Sequence, residues 1–407
     1  MAGVGSFGRN HLRVLRELEA SGEGVALVAA VDPDAARAQE AAKQYRIKTF
    51  ASVDELLSAD LKLDAAIVAV PTVKHHEVAA ALLDAGLDLL VEKPLAANLA
   101  EADDLIQNQE KNARILQPGH LERFNPAVLA VEPNLKRPMF FEAHRLSVFT
   151  PRALDVDVVL DLMIHDLDIV LTFAKSAVRE VRAVGLPILS PKVDIANVRV
   201  EFESGCVANF TASRVSTERV RKLRFFEPRQ YVSIDYARRD VLVIKIDSGV
   251  ETPPRQSLDG APAASGELAA AAAEFLATGK LDSAVIQKLL TSGKIPMTLA
   301  MKIAAAKNDP EKLKEIAKGL AGPQAQPQSG PAQGPAPGLT FVKPEVKEGE
   351  PLKLEILSFL DAVRTRKEPK VTAQQGRAAL ELALTIQATM AAHAERAGLG
   401  DFFRPSA

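Results

Sequence analysis

The feature that most constrains this chain is the alternation of short apolar runs with amphipathic segments between Leu12 and Pro118. Four of the apolar runs are typical of buried strands: VALVAAV (25–31), LDAAIVAV (63–70), LDLLVEKP (87–94) and ARILQPGH (113–120). The segments between them have the spacing of amphipathic helices. Strands that alternate with helices in this way form a parallel sheet, so the sequence predicts an α/β, doubly wound domain.

Three glycines at the start of the chain, Gly3, Gly5 and Gly8, have the G-x-G-x-x-G spacing of a dinucleotide-binding loop. Glycines also cluster in ordinary turns, but here a helix follows at once and its N-terminus can hold a pyrophosphate. Asp32 ends the next predicted strand, where a carboxylate can accept both ribose hydroxyls, although it could also cap the following helix. Because Asp32 would repel a 2′-phosphate, NAD is favoured over NADP, even though Arg37 lies nearby.

The residues before the glycine loop are fewer than this motif requires. Only Met1 and Ala2 precede Gly3, whereas the loop normally follows the central strand of the sheet. We therefore expect that the first strand is missing and that the chain starts at a miscalled or truncated position. On this hypothesis the natural chain has about five or six more apolar residues upstream, the length of an ordinary strand.

The length of 407 residues exceeds the roughly 250–300 residues that one hydrophobic core usually supports. After Phe124 the pattern changes to a helix at about 155–173 followed by strand-like runs, which predicts a second α+β domain with an open, mostly antiparallel sheet. The predicted parts are a Rossmann-type domain (1–122), a substrate and oligomerisation domain (123–264), a helical insertion (265–345) and C-terminal helices that pack back on both domains (346–398). Within the insertion, the Pro-, Gly- and Gln-rich segment 322–338 is expected to be a disordered linker.

Composition excludes several classes of partner. The formal net charge is -2, so nothing attracts the chain to nucleic acid, and no segment reaches the roughly 20 apolar residues that would span a membrane. The single cysteine, Cys206, excludes an internal disulfide framework and is expected to be a buried apolar filler. The sequence therefore predicts a cytoplasmic protein whose partners are small molecules or copies of itself.

Two further segments carry candidate chemistry. In VEKPL (91–95), Lys93 follows a predicted strand and should enter the crevice where open α/β sheets place ligands, unless it is simply a solvated loop charge. In DLMIHDLDIVL (161–171), Asp161 and His165 are four residues apart, so the carboxylate can orient an imidazole that exchanges protons with a hydroxyl. The alternatives are a satisfied core histidine or a metal ligand, but two ligands alone do not make a metal site, so none is predicted.

Five segments, in order, resemble the glucose-fructose oxidoreductase/inositol dehydrogenase (Gfo/Idh/MocA) family: GVGSFGRNH, VPTVKHHEVA, VEKP, GHLERFNPAV and DLMIHDLDIV. The similarity covers about residues 3–250 and the helices at about 350–395. It implies an NAD(P)-binding Rossmann domain followed by an α/β domain whose open sheet often forms oligomer contacts. A dimer or tetramer is therefore expected.

The same resemblance implies roles for individual residues. Lys93 is expected near nicotinamide and substrate, His165 as acid/base, and Asp161 as its polar partner. The implied cofactor-binding residues are Gly3, Gly5, Ser6, Phe7, Gly8, Asp32, Pro71, His75, Glu92 and Lys93. The implied substrate-binding residues are Lys93, Arg123, Asn125, Asp161 and His165.

Within the family, GHLERFNPAV and DLMIHDLDIV are most similar to the branch that oxidises the 3-hydroxyl of UDP-N-acetylglucosamine. We therefore expect NAD-dependent oxidation of a sugar hydroxyl, with a sugar or nucleotide sugar as substrate. A dehydrogenase of a free sugar or cyclitol, and a redox-inactive NAD-binding sensor or scaffold, are the alternatives. Four basic residues are candidates for a diphosphate contact or for a solvated sheet face: Arg219, Arg221, Lys222 and Arg224.

Overall fold

The computed structural model describes residues 1–150, 156–246 and 339–399, so the predicted linker 322–338 lies outside the described residues. The N-terminal part alternates helices and parallel strands: α1 (Ser6–Ala20), β1 (Ala29–Val31), α2 (Ala35–Tyr45), β2 (Lys48–Phe50), α3 (Val53–Ser58), β3 (Ala65–Val68), α4 (His75–Asp84), β4 (Asp88–Glu92), α5 (Leu99–Lys111) and β5 (Leu116–Gly119). Strand β1 pairs with β2, and β3, β4 and β5 pair in that order, all in parallel. This arrangement confirms the predicted doubly wound domain.

The segment before the glycine loop joins the two parallel sheets. The amide N of Ala2 donates to the Ile67 oxygen at 2.8 Å, and the Ala69 amide donates to the Ala2 oxygen at 2.8 Å. On the other edge, the Val31 amide donates to the Met1 oxygen at 2.8 Å, and Ala2 bridges Val31 as well as Val68. These first residues therefore occupy the central position at which the sequence analysis expected a missing strand.

The second part of the chain builds a larger mixed sheet. Its elements are α6 (Pro126–Val131), β6 (Phe140–Leu146), a π-helix (Val159–Met163), α7 (Ile164–Ala174), β7 (Val178–Leu186), β8 (Ile195–Phe202), β9 (Val207–Ser213), β10 (Val220–Glu227), β11 (Gln230–Asp235), β12 (Asp240–Ile246) and β13 (Leu339–Val342). The strand order is β13-β12-β11-β10-β6-β9-β8-β7. Every neighbouring pair is antiparallel except β6 and β9, which confirms the predicted mostly antiparallel sheet.

The end of the predicted insertion 265–345 needs correction. Strand β13 lies inside that range, yet Leu339 pairs with Ile246 and Phe341 pairs with Ile244 at the edge of the large sheet. The strand is short and follows a Pro- and Gly-rich segment, so its own sequence carries little signal, and its pairing partner lies far away along the chain. Residues 265–338 of the predicted insertion lie outside the described residues.

One face of the large sheet is covered by helices. Alternate residues of the strands, such as Phe141, Phe210 and Phe225, are buried against α7. Cys206 lies in the same core, which confirms the prediction that it is a buried apolar filler. The C-terminal helices are α8 (Pro351–Thr365) and α9 (Ala373–Arg396). Helix α9 contributes apolar side chains to both cores, so it links the Rossmann domain to the sheet domain.

Among the described residues, no helix is long and apolar enough to cross a bilayer.

Candidate active site

The glycine loop has the geometry that a pyrophosphate needs. Gly3 has φ +85°, and a Cβ there would lie 2.5 Å from the Ala69 oxygen. A Cβ on Gly8 would lie 2.0 Å from the Gly3 oxygen, so α1 can pack this closely only with glycine at that position. At Gly5, the residue that caps α1, a Cβ would meet nothing within 4 Å. The loop therefore leaves open space at the helix N-terminus, where an anion is stabilised.

The other predicted residues of the loop lie at the start of α1. Ser6 is the first residue of the helix, and the Phe7 side chain is 44% exposed. The Phe7 ring meets the His11 ring edge-on, with centroids 5.8 Å apart. The sequence motif is therefore assembled as a strand end, a glycine turn and a helix start, which is the context that the motif requires.

Asp32 lies directly after β1 and is buried. One of its carboxylate oxygens accepts a hydrogen bond from the Val4 amide, and the other accepts from the Asp34 amide, both at 2.9 Å. Asp32 therefore holds the glycine loop against the end of β1. The alternative role of helix cap belongs to Asp34, which accepts hydrogen bonds from the first amides of α2, and Arg37 is paired with Asp34.

Two buried histidines form hydrogen bonds with the loops around the VEKP segment. The His11 Nε2 atom lies 2.7 Å from a carboxylate oxygen of Glu92. His75 lies 2.8 Å from the Pro94 oxygen through Nδ1 and 3.0 Å from the Val70 oxygen through Nε2. The side chains of Glu92 and His75 thus position the backbone around Lys93, whereas Pro71 is exposed at the start of a 3-10 turn.

Lys93 crosses from the end of β4 to the second domain. Its Nζ atom donates hydrogen bonds to the main-chain oxygens of Asp161 at 2.7 Å and Leu160 at 3.4 Å. Both acceptors lie in the π-helix. This form is rare in proteins as a whole, but where it occurs it is often part of a functional site. Burial lowers the pKa of Lys93 below its usual range, although Asp161 and Glu92 oppose this shift. The VEKP lysine therefore joins the Rossmann domain to the segment that carries Asp161 and His165.

The predicted pairing of Asp161 with His165 needs correction. The Asp161 carboxylate lies 3.9 Å from the Lys93 Nζ atom, and among the described residues no hydrogen bond joins it to the imidazole. The i, i+4 argument assumes an α-helix, but Asp161 lies in the π-helix and His165 in the first turn of α7. Because π-turns close five residues apart, the four-residue spacing no longer implies that the two side chains share one face.

His165 lies in the first turn of α7 and is half-buried. Burial holds its pKa well below 6.5, and the positive charges of Lys93, Arg145 and Arg221, together with His120, push the pKa in the same direction. Its Nδ1 atom has no hydrogen-bond partner in the described part of the chain. The imidazole is therefore neutral at neutral pH and able to accept a proton.

A buried ion network that the sequence analysis missed supports the start of α7. Arg145 on β6 donates two hydrogen bonds to Asp166, at 2.7 and 3.0 Å, and one to Glu122 at 3.0 Å. These carboxylates raise the pKa of Arg145 although its burial opposes this, and the guanidinium lies 5.2 Å from the centre of the Tyr236 ring. The network fixes the position of the residue that follows His165.

The two predicted substrate residues of the GHLERFNPAV segment are buried and form hydrogen bonds inside the protein. Arg123 is 3% exposed and donates to the Thr172 hydroxyl at 2.5 Å, with Asp168 at 3.5 Å. Asn125 is 3% exposed, accepts from the Ala127 amide and donates to Glu122. Both side chains form their hydrogen bonds inside the protein, because the loop that carries them turns beneath α7. The local sequence does not reveal this placement.

A second group of buried polar side chains was also not predicted. Gln117, His120 and Glu355 are at most 1% exposed, and in the described structure the Gln117 amide and the Glu355 carboxyl have no hydrogen-bond partner. Burial, with Glu92 and Asp168 nearby, raises the pKa of Glu355 well above its usual range. The sequence did contain a signal for the burial of Glu355, because this residue lies next to Ile356 on the apolar face of α8.

Among the described residues, no group of three or more His, Cys, Asp or Glu side chains is placed so that it could hold a metal ion.

Comparisons with known proteins show the family of this chain. A model described as oxidoreductase family, NAD-binding Rossmann fold, matches residues 1–120, and a GFO/IDH/MocA C-terminal domain model matches residues 128–228. The chain is 37% identical over 235 residues to a UDP-N-acetylglucosamine 3-dehydrogenase of Acidithiobacillus ferrooxidans, which covers 58% of this chain and 72% of the relative. A solved structure of the dehydrogenase of that name from the same species matches with a TM-score of 0.70 and 26% identity, covering 96% of each chain.

A more distant relative has a different substrate in its name. The scyllo-inositol 2-dehydrogenase (NAD(+)) of Bacillus subtilis is 26% identical over 229 residues, which cover 53% of this chain and 66% of the relative. Both relatives are therefore named as dehydrogenases, while the substrates in their names differ.

Proposed function

Because the chain belongs to the GFO/IDH/MocA family of oxidoreductases, we propose that it oxidises the 3-hydroxyl of a nucleotide sugar like UDP-N-acetylglucosamine, with NAD as the hydride acceptor. The single observation that carries this proposal is the link between Lys93 and the segment that leads to His165. The Lys93 Nζ atom donates hydrogen bonds to main-chain oxygens of the π-helix, and the half-buried His165, whose pKa is held well below 6.5, lies in the first turn of the helix that follows. An alcohol dehydrogenase needs both a base for the hydroxyl proton and a cation for the developing oxyanion.

The NAD-binding assignment of the N-terminal domain fits its residues. On this proposal the space at Gly5 takes the pyrophosphate at the N-terminus of α1, and Asp32, which directly follows β1, accepts from the ribose hydroxyls. Asp32 would repel a 2′-phosphate, and the Arg37 guanidinium nearby is paired with Asp34, which supports NAD over NADP. Bound at this loop, NAD supplies the acceptor for the hydride of the carbinol carbon.

In the proposed reaction each residue of this chain has one task. The His165 imidazole accepts the proton of the substrate hydroxyl, since it is neutral and half-buried. The Lys93 ammonium stabilises the negative charge that develops on the same oxygen. Asp161 positions Lys93 through its main-chain oxygen and its carboxylate, and the ion network of Arg145 positions α7.

Steady-state measurement of NADH formation tests this function. The panel consists of UDP-N-acetylglucosamine, other UDP-sugars, the corresponding free sugars and inositols, each with NAD. We expect the highest kcat/KM for UDP-N-acetylglucosamine. Equal or higher kcat/KM on a free sugar or inositol would favour the free-sugar or cyclitol alternative, and NAD binding without turnover on any compound would favour a sensor or scaffold.

A homo-oligomer in the cytoplasm is part of the same proposal. The face of the large sheet opposite the helices carries exposed apolar side chains, such as Phe226 (37% exposed) and Phe341 (51% exposed). A self-association surface of a soluble protein would contain such residues. Light scattering coupled to size-exclusion chromatography should give a dimer or tetramer, and a monomer at micromolar concentration would contradict the proposal. The single buried Cys206 fits a reducing compartment.

A further inference from the structure

Of the four basic residues near β10 that the sequence offers for a diphosphate contact, the structure separates one from the others. In a strand, successive side chains point to opposite faces of the sheet. Leu223 and Phe225 are buried on the helix-covered face, so Arg221 lies on that face too. Lys222 and Arg224 lie on the opposite face, where Arg224 donates to Glu142 at 3.0 Å. Arg219 precedes the strand in an exposed loop.

Arg221 extends the helix-covered face beyond the apolar core. It pairs in register with Arg145 of β6, and its main-chain oxygen accepts a hydrogen bond from the Tyr236 amide. Arg145 is the buried arginine that reaches Asp166 at the start of α7. Arg221 is exposed beside it and close enough to His165 to lower the pKa of the imidazole. Its guanidinium is therefore at the edge of the candidate active site.

The charge at this edge is not neutralised. Like charges directly opposite on neighbouring strands are unfavourable. The charge of Arg145 is balanced by Asp166 and Glu122, whereas Arg221 forms no ion pair with a carboxylate in residues 1–150, 156–246 and 339–399. Arg221 therefore adds a positive charge beside Arg145 that no carboxylate of the described residues pairs with, and such a charge attracts an anionic ligand.

We propose that Arg221 binds the diphosphate of the substrate and thereby selects nucleotide sugars over free sugars. This inference rests on the proposed function, because it names the part of the substrate that the same site recognises. An arginine guanidinium matches phosphate oxygens in a bidentate geometry, and an exposed one is available without breaking an internal ion pair. Diphosphate binding also partly neutralises Arg221, so the pKa of His165 rises and the base becomes stronger when substrate is bound.

Four groups lower the pKa of His165 in addition to its burial. Lys93 approaches from the Rossmann domain, Arg145 and Arg221 from the sheet, and His120 from the turn after β5. Removal of Arg221 alone leaves the other three in place. In Arg221→Gln, the acid limb of the kcat/KM profile for a substrate without phosphate should therefore move to higher pH.

The test is equilibrium binding of UDP to the NAD-saturated full chain by titration calorimetry. Arg221→Gln should weaken UDP binding roughly 10- to 100-fold, as expected for loss of a charge-assisted contact, and Arg221→Lys should weaken it less. The matched control Arg224→Gln, on the opposite face, should bind within about twofold of wild type because it loses only an exposed ion pair. NAD affinity should be the same in all variants.

The outcomes separate this inference from the proposed function. Unchanged UDP affinity in Arg221→Gln would overturn the inference, as would a wild-type protein that does not bind UDP yet oxidises free sugars. Equal loss of affinity for UDP and for a uronic acid without phosphate would also overturn it, because the arginine would then be a general carboxylate or anion site. Arg221-dependent UDP binding without turnover on any sugar would support the inference while the proposed oxidation failed.

Discussion

The Nζ atom of Lys93 donates a hydrogen bond of 2.7 Å to the main-chain oxygen of Asp161, and it lies 3.9 Å from the carboxylate of that residue. The lysine comes from the end of a parallel strand and the aspartate from a π-helix in the second domain. This link brings the two parts of the candidate site together. It also makes the charge of Lys93 a determinant of the pKa of His165.

Substitution of the proposed base should separate turnover from cofactor binding. In His165→Asn we expect NAD affinity to stay unchanged and kcat to fall by roughly 10²–10⁴, the usual contribution of a general base. NADH formation and NAD titration measure the two effects. His76→Asn is the control, since His76 lies on the outside of α4 paired with Asp104. Turnover near the wild-type rate in His165→Asn would show that another group takes the proton.

The pH dependence of kcat/KM should report the low pKa of His165. A base works in its unprotonated form, so activity is lost as pH falls through its pKa. Burial and the neighbouring cations hold that pKa well below 6.5. We therefore expect a rate that is flat at neutral pH and declines only below pH 6.5. An acid limb centred above pH 6.5 would contradict this environment for His165.

Removal of the lysine charge should affect both rate and pH profile. In Lys93→Met we expect kcat to fall by roughly 10²–10³, because a cation aimed at the developing oxyanion is lost. The charge of Lys93 lowers the pKa of His165, so the acid limb of the remaining activity should move to higher pH. Lys74→Met, which removes an exposed lysine paired with Glu77, should change neither quantity. A drop in rate with an unmoved acid limb would mean that Lys93 does not act on His165.

Local signals in the sequence were sufficient for the fold and for the glycine loop. Apolar runs of the right length marked four strands, and the glycine spacing marked the turn. Strand β2 was missed because it has only three residues, none of them buried. Asp161 was assigned to the wrong partner because the π-helix changes the register of its side chains. Arg123 and Asn125 were misplaced because their burial depends on contacts with distant segments.

The ion network beneath α7 illustrates the same limit. Glu122, Arg145 and Asp166 come from a turn, a strand and a helix, and nothing in their local sequences marks them as partners. Arg221 was within a set of basic residues that the sequence did identify. The burial pattern of β10 separates it from Arg224, because Arg221 lies on the face of buried Leu223 and Phe225 while Arg224 lies on the opposite face.

Loss of the buried arginine should destabilise the second domain. Arg145→Met leaves Asp166 and Glu122 buried without their cation, which typically costs about 3–5 kcal/mol of the free energy of unfolding. Urea denaturation measures this quantity. The control Arg224→Met removes a half-exposed pair with Glu142 and should cost about 0–1 kcal/mol. Equal stability of the two variants would show that the network contributes little.

Two glycines of the cofactor loop should respond differently to the same substitution. Gly3→Ala places a Cβ 2.5 Å from the Ala69 oxygen at φ +85°, so we expect a loss of more than about 1 kcal/mol of stability. Gly5→Ala meets no atom within 4 Å, so the fold should be retained while NAD affinity falls, because the methyl group occupies the space for the pyrophosphate. Melting temperature and NAD titration measure the two effects. Unchanged NAD affinity in a folded Gly5→Ala would place the pyrophosphate elsewhere.

The most direct test of the proposed reaction follows the hydrogen that leaves the sugar. UDP-N-acetylglucosamine labelled with deuterium at C3 is incubated with the enzyme and NAD, and the reduced nicotinamide is analysed by mass spectrometry and NMR. We predict one deuterium in the NADH from the C3-labelled substrate, none from substrate labelled at C4, and a slower single-turnover rate for the C3 label. Unlabelled NADH from the C3-labelled substrate, or no NADH at all, would contradict oxidation at the 3-hydroxyl.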